Sequence, residues 1–204
     1  ARRDAADAPH LVYVPEVPMN AKRFLSDVTR CIERNGYAYI VCGEGVLWED
    51  GTPVSASSTT DEFSNIEFGA MGGVSAAMSL HRLINEHTGY RGEFQITESI
   101  PMCGADRVSE KDREEAYGCG REAMRLAAGG HSGVMVTIRR VQADPYAYEF
   151  GTERLSEVAR RTHRLPGEFY DPDTKQPTDE FRRYAAPLVG EIPAYTTLDD
   201  IPNA

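Results

Sequence analysis

The chain has 204 residues, 41% of them hydrophobic, and a formal net charge of −10. Such a length makes one large domain, or one and a half small ones, and suffices to bury a proper core. The acidic balance argues against binding nucleic acid or an anionic membrane, since both need a basic patch, and no apolar run approaches the ~20 residues that cross a bilayer.

His10 to Val14 is a short, β-rich apolar run stopped by Pro15, which predicts a buried strand. Asn20 opens a helical pattern with Phe24, Leu25, Val28, Cys31 and Ile32 on one face, and Asn35-Gly36 ends it. Tyr37 to Cys42 predicts a second buried strand. A strand, a helix and a strand within residues 10–42 make a βαβ unit, with parallel strands and a right-handed crossover. The second strand runs into Gly43-Glu44-Gly45. Ligands gather beyond the carboxyl ends of parallel strands, so Glu44 is a candidate binding residue. A turn with an exposed carboxylate is the plainer alternative.

Residues 46–68 are polar and read as a loop, one that could be mobile. Gly72-Gly73-Val74-Ser75 opens a helix carrying Ala76, Ala77, Leu80, Leu83 and Ile84, which stops at Thr88-Gly89. A glycine pair there can present backbone N–H groups to an anion, but close packing explains it equally well. The stretch Glu93 to Met102, EFQITESIPM, starts like a strand and ends around Pro101. Ser109 is an N-cap with Asp112 in the N3 place, and its helix runs through Ala116, Cys119, Ala123 and Leu126 to Gly129-Gly130. Ser132 to Ile138 predicts another buried strand. A helix near Leu155 to Arg161, a turn at Leu165-Pro166-Gly167, a helix from Thr178 to Ala185 and a proline-dotted tail from Gly190 complete the chain.

Residue chemistry adds little. Cys31, Cys42, Cys103 and Cys119 form no CxxC or zinc-ligand spacing, and scattered thiols suit a reducing cytoplasm. The five histidines show no metal-ligand spacing and most read as surface residues, and there is no Walker A loop, GxSxG or HExxH. Of the 22 basic residues 19 are Arg, the better fork for phosphate, although composition bias accounts for that.

Taken together, the motifs resemble one family. Asp7-Ala8-Pro9-His10 through Glu16 resembles the "APHL-strand-PE" segment of the phosphofructokinases. Cys42-Gly43-Glu44-Gly45 resembles their "strand-(S/A)-E-G". Asp61, Phe68-Gly69 and Gly72-Gly73 are loosely similar to "D-x-F-G-H…L-G-G". Ser109 to Ala123 and His131 to Val136 resemble two further family motifs. Leu155 to Ala159, Leu165 to Phe169 and Tyr184 to Gly190 look most like the pyrophosphate-dependent branch. The resemblance implies an α/β fold, a Rossmann-like parallel sheet flanked by helices, corresponding to the C-terminal portion of the family. Residues 1–145 would be the sugar-side domain and 146–204 a C-terminal helical extension packed on it.

Two departures shape the functional expectation. The donor loop and catalytic aspartate of the family lie upstream of Ala1 in its pattern. No catalytic residue and no metal ligand is therefore expected in this chain. Pyrophosphate or ATP, with Mg2+, would be bound by an N-terminal half on the same or a partner chain. Second, an arginine, a His or Tyr and a second arginine hold the sugar phosphate in the family. An ungapped alignment places Glu93, Ser99 and Met102 at those positions, while Glu44 matches the family glutamate that contacts the sugar. Substrate binding is thus expected at Glu44, Glu93, Ser99 and Met102, for a sugar or polyol acceptor unlike fructose 6-phosphate. Two alternatives stand beside this: a non-catalytic or regulatory subunit, and ordinary fructose 6-phosphate phosphorylation with Arg91 or Arg107 reaching into the vacant positions. The resemblance also implies a cytoplasmic homo-oligomer whose neighbouring subunits complete each site, so Glu93 could face a neighbour's site.

Overall fold

The computed structural model describes residues 7–55, 74–97, 99–159 and 162–192, apart from the side chains of Ser99 and Ile100. These fall into two compact units, one within 2–104 and 164–179, the other within 105–163 and 180–204.

The first unit starts with the expected βαβ arrangement. Strand β1 (Leu11–Tyr13) pairs in parallel with β2 (Ile40–Cys42), Leu11 opposite Ile40 and Tyr13 opposite Cys42. Helix α1 (Ala21–Asn35) connects them. Asn20 caps its start, its side chain accepting from the amides of Lys22 at 3.0 Å and Arg23 at 3.1 Å. Gly36 ends it with φ +80, a backbone state open to glycine at no steric cost. Phe24, Val28 and Cys31 point inward at helical spacing, onto a core that also holds Leu11, Tyr13, Met19 and Leu80. Because an Asn cap is worth about 0.5–2 kcal/mol, Asn20→Ala lowers the melting temperature by several degrees in a thermal scan. Asn20→Gly, which keeps the cap geometry, lowers it less.

Residues 46–55 are not a mobile loop. Leu47 bridges to Pro53 and Trp48 to Met19, and Val46 and Val54 are fully buried. Two valines eight residues apart anchor a turn whose polar middle faces solvent, and polarity alone conceals such an anchor. Residues 56–68, Gly72 and Gly73 lie outside the described residues. Helix α2 (Ala76–Thr88) has Ser75 as its N-cap, accepting from the Met78 amide at 3.1 Å, and ends at Gly89.

A small hairpin closes the free side of β1. Its strands are β5 (Tyr170–Asp171) and β6 (Gln176–Pro177). The Val12 amide donates to the Lys175 carbonyl at 3.0 Å, and the Tyr170 hydroxyl donates to the Val12 carbonyl at 2.6 Å. Burial, then the nearby Asp171 and Asp27 carboxylates, push the Tyr170 hydroxyl up to about 12. An unfolded tyrosine loses its proton near pH 10. Above that pH the unfolded chain is deprotonated first, so stability falls as pH rises from about 10 to about 12. Urea titrations across that window should show the loss, and Tyr170→Phe should make it shallower. A residual slope is expected from Tyr13, raised by burial and by its bond to Asp27.

The second unit pairs helix α4 (Glu110–Ala128) with a β-hairpin. Ser109 caps α4 and Gly129 ends it, as its sequence predicts. Strand β3 (Val134–Gln142) pairs antiparallel with β4 (Ala147–Arg154). The buried strand expected over Ser132 to Ile138 is therefore longer and more open, with Met135 39% and Ile138 43% exposed. β4 occupies the start of the segment expected to be a helical extension. The helix expected from Leu155 to Arg161 is a single turn, α5 (Leu155–Val158). Helix α6 (Asp179–Val189) follows the second expected helix and continues past Ala185.

Polar and cation–ring contacts hold this unit together. The Tyr146 hydroxyl donates to the buried Glu115 at 2.5 Å. The Arg140 guanidinium lies 4.8 Å from the ring of Tyr146 and 4.1 Å from that of Tyr184, and donates to the Tyr184 carbonyl at 2.8 Å. Gly118 packs against the Phe150 ring, which would have to shift for a Cβ otherwise 2.4 Å away.

Candidate functional site

The carboxyl end of β2 presents the first candidate residue. Gly43 donates its amide to the Tyr13 carbonyl at 3.0 Å, and a Cβ on it would stand 3.0 Å from Pro15. That glycine is needed for close packing, and it delivers Glu44 to an exposed turn. The Glu44 carboxylate has no hydrogen-bond or ion-pair partner among the described residues. Burial raises the neighbouring Cys42 thiol, which keeps it protonated and inert.

The other three candidates follow α2 on one stretch of chain. The strand-like beginning of EFQITESIPM does not form a strand. Residues 91–97 are exposed and belong to no helix or ladder. The end of that stretch is a short helix, α3 (Ser99–Cys103). Pro101 fits there because the first four amides of a helix have no partner to lose. Glu93 is exposed in the extended part, and Met102 is 80% exposed on α3. Ser99 is the first residue of α3.

A cleft of about 520 Å³ lies between β2, α1 and α2 on one side and the extended stretch on the other. Its floor is apolar, with Val28, Ile40, Leu80 and Ile84, and its polar wall carries Arg91, Glu93 and Gln95. Cys42 and Glu93 share it, so the end of β2 and the stretch after α2 meet around one opening. Glu44 and Met102 do not line it. Arg91 does, and its guanidinium has no acidic partner among the described residues. Arg107, the other arginine considered for phosphate, is in the second unit and pairs with Asp106 at 3.2 Å.

His81 holds this stretch. It is half-buried, its Nε2 donates to the Gly92 carbonyl at 2.8 Å, and its ring lies 5.3 Å from that of Phe94. Its spacing from Ala77, Leu80 and Ile84 puts it on the inward face of α2, a signal that is present in the sequence. Among the described residues no three His, Cys, Asp or Glu side chains are placed to hold a metal ion. Among the same residues no helix is long and apolar enough to cross a membrane.

No protein-family model matches the chain. The pyrophosphate–fructose 6-phosphate 1-phosphotransferase of Halomonas elongata is 31% identical over 189 residues, which are 93% of this chain and 44% of that protein. The crystal structure of a pyrophosphate-dependent phosphofructokinase from Marinobacter aquaeolei superposes with a TM-score of 0.70 at 25% identity, covering 99% of this chain and 46% of that one. A sulfofructose kinase of Alkalicoccus urumqiensis is 26% identical over 167 residues, 82% of this chain and 42% of its own length. The chain is thus related along nearly all its length to the pyrophosphate-dependent phosphofructokinases, and it spans less than half the length of these relatives.

Proposed function

We propose that the chain forms the acceptor side of a phosphofructokinase-like phosphotransferase whose acceptor is a sugar or polyol other than fructose 6-phosphate. The observation that carries this reading is the exposure of Glu93 and Met102 where the family resemblance places two phosphate-binding arginines. A hydrogen bond from a charged donor contributes about 1.5–3 kcal/mol. A carboxylate in place of one of the two donors adds repulsion against a phosphate dianion. Carboxylates accept well from hydroxyl groups, so Glu44 and Glu93 suit a polyhydroxy ligand. The sulfofructose kinase relative supports a framework that takes more than one acceptor.

The donor would be pyrophosphate, as in the names of the relatives, or ATP. Donor, Mg2+ and the catalytic aspartate would be held by an N-terminal half on the same or a partner chain. In such a transfer the protein positions the groups and neutralises charge. The family's neighbouring subunits would complete the site, and the four free thiols accord with a reducing compartment.

One observation favours a second reading, ordinary fructose 6-phosphate phosphorylation: the unpaired Arg91 on the cleft wall. A turnover screen of the protein as it occurs separates the two, using pyrophosphate and ATP against neutral and phosphorylated sugars. Turnover of a neutral sugar or polyol is expected. Strong turnover of fructose 6-phosphate alone, abolished by Arg91→Ala, would establish the second reading.

A further inference from the structure

We propose that the acceptor carries an amine: it is a polyhydroxy compound whose ammonium group is held by the Glu93 carboxylate and by exposed aromatic rings of the same cleft. This rests on the assignment above of Glu93 to acceptor binding, and it names the class of acceptor that Glu93 selects.

Glu93 reverses a charge. It stands where the family resemblance places an arginine that meets a phosphate. Any neutral residue would end that phosphate contact, whereas a carboxylate also attracts a cation. The Glu93 side chain is exposed and has no hydrogen-bond or ion-pair partner among the described residues, so its charge serves no neighbour there. It is also the only carboxylate among the described residues that line the cleft.

The rest of the lining favours the same charge, independently of any alignment. Tyr37, Tyr39, Tyr90 and Phe94 stand around the same opening as Glu93. Tyr37 is 54%, Tyr39 55% and Phe94 37% exposed. The face of an aromatic ring is negative and attracts a cation within about 6 Å. Two of these rings are held in place, Tyr37 edge-on to the His10 ring at 4.8 Å and Phe94 against the His81 ring at 5.3 Å. A carboxylate and several ring faces around one opening suit an organic ammonium and oppose a phosphate.

Arg91 sets the orientation. It lines the same wall two residues from Glu93. Its guanidinium repels an ammonium but donates well to hydroxyl oxygens. The amine of the ligand is thereby directed to Glu93, and its hydroxyls to Arg91.

Titration calorimetry of the chain with N-methyl-D-glucamine, D-sorbitol and fructose 6-phosphate tests this, since the first two differ mainly in the charge at one end. N-methyl-D-glucamine should bind at least about tenfold more tightly than D-sorbitol, because an exposed ion pair and a cation–ring contact each contribute a few-fold. Glu93→Gln should bring that ratio below about threefold, and rising salt should lower it. Tyr39→Leu should lower it too, while Tyr39→Phe, which keeps the ring, should not. Arg91→Ala should raise it. Glu168→Gln removes an exposed charge outside the cleft and should leave it unchanged. If Glu168→Gln lowers the ratio as much as Glu93→Gln, the attraction belongs to the net charge of −10 and the proposal falls. Equal binding of the two polyols, with fructose 6-phosphate weaker, overturns the amine and leaves the changed acceptor standing. Tightest binding of fructose 6-phosphate overturns both, and binding of neither polyol overturns the amine.

Discussion

A Glu93→Arg, Met102→Arg double variant binds fructose 6-phosphate at least about a hundredfold more tightly than the parent chain. Each guanidinium adds a charged donor worth about 1.5–3 kcal/mol to a phosphate, and 1.4 kcal/mol is a tenfold change in affinity. Removing the Glu93 charge adds to the gain. Both positions are exposed, and such substitutions leave stability within about 0.5 kcal/mol. The gain in titration calorimetry should shrink as salt rises, because exposed charges are screened. A gain below threefold would mean that the two positions do not face the phosphate subsite.

The largest expected loss of stability is at Phe24. Its ring is 1% exposed and meets Tyr13 edge-on, with centroids 5.4 Å apart. Phe24→Ala removes buried area and leaves a cavity, at a cost of about 3–5 kcal/mol. Proteins have only about 5–15 kcal/mol in hand, so the variant should unfold at far lower urea. Phe24→Leu keeps most of the volume and should lose much less. Because α1 connects β1 to β2, this core also sets the end of β2 and hence the turn that bears Glu44. An Ala variant as stable as the parent would mean that the first unit is not organised around this residue.

Much of the fold is legible in the chain because it is written locally. Asn20 and Gly36, Ser75 and Gly89, and Ser109 and Gly129 mark the ends of the three long helices through caps that depend only on neighbouring residues. β1 and β2 are short apolar runs on either side of an amphipathic helix, and their parallel pairing follows from chirality. β4 is harder to see. Its exposed Glu149, Glu153 and Arg154 and its internal Gly151 hide a strand. Yet Tyr146, Tyr148 and Phe150 alternate on one half-buried face, and Asp144-Pro145 marks the turn before them.

The candidate site is legible only in part. Glu44 falls in the expected turn because a strand end and two glycines define it. The stretch after α2 has the composition of a strand, but strand formation requires a partner edge, which no local pattern supplies. The role of His81 is hidden for a related reason: it depends on the Gly92 carbonyl, eleven residues away.

The proposed acceptor change is tested most directly by titrating the parent chain with fructose 6-phosphate and, in parallel, with D-fructose and neutral polyols. No tight binding of fructose 6-phosphate is expected, and tighter binding of a neutral polyhydroxy ligand, weakened by Glu44→Gln. Micromolar binding of fructose 6-phosphate that disappears with Arg91→Ala would contradict it.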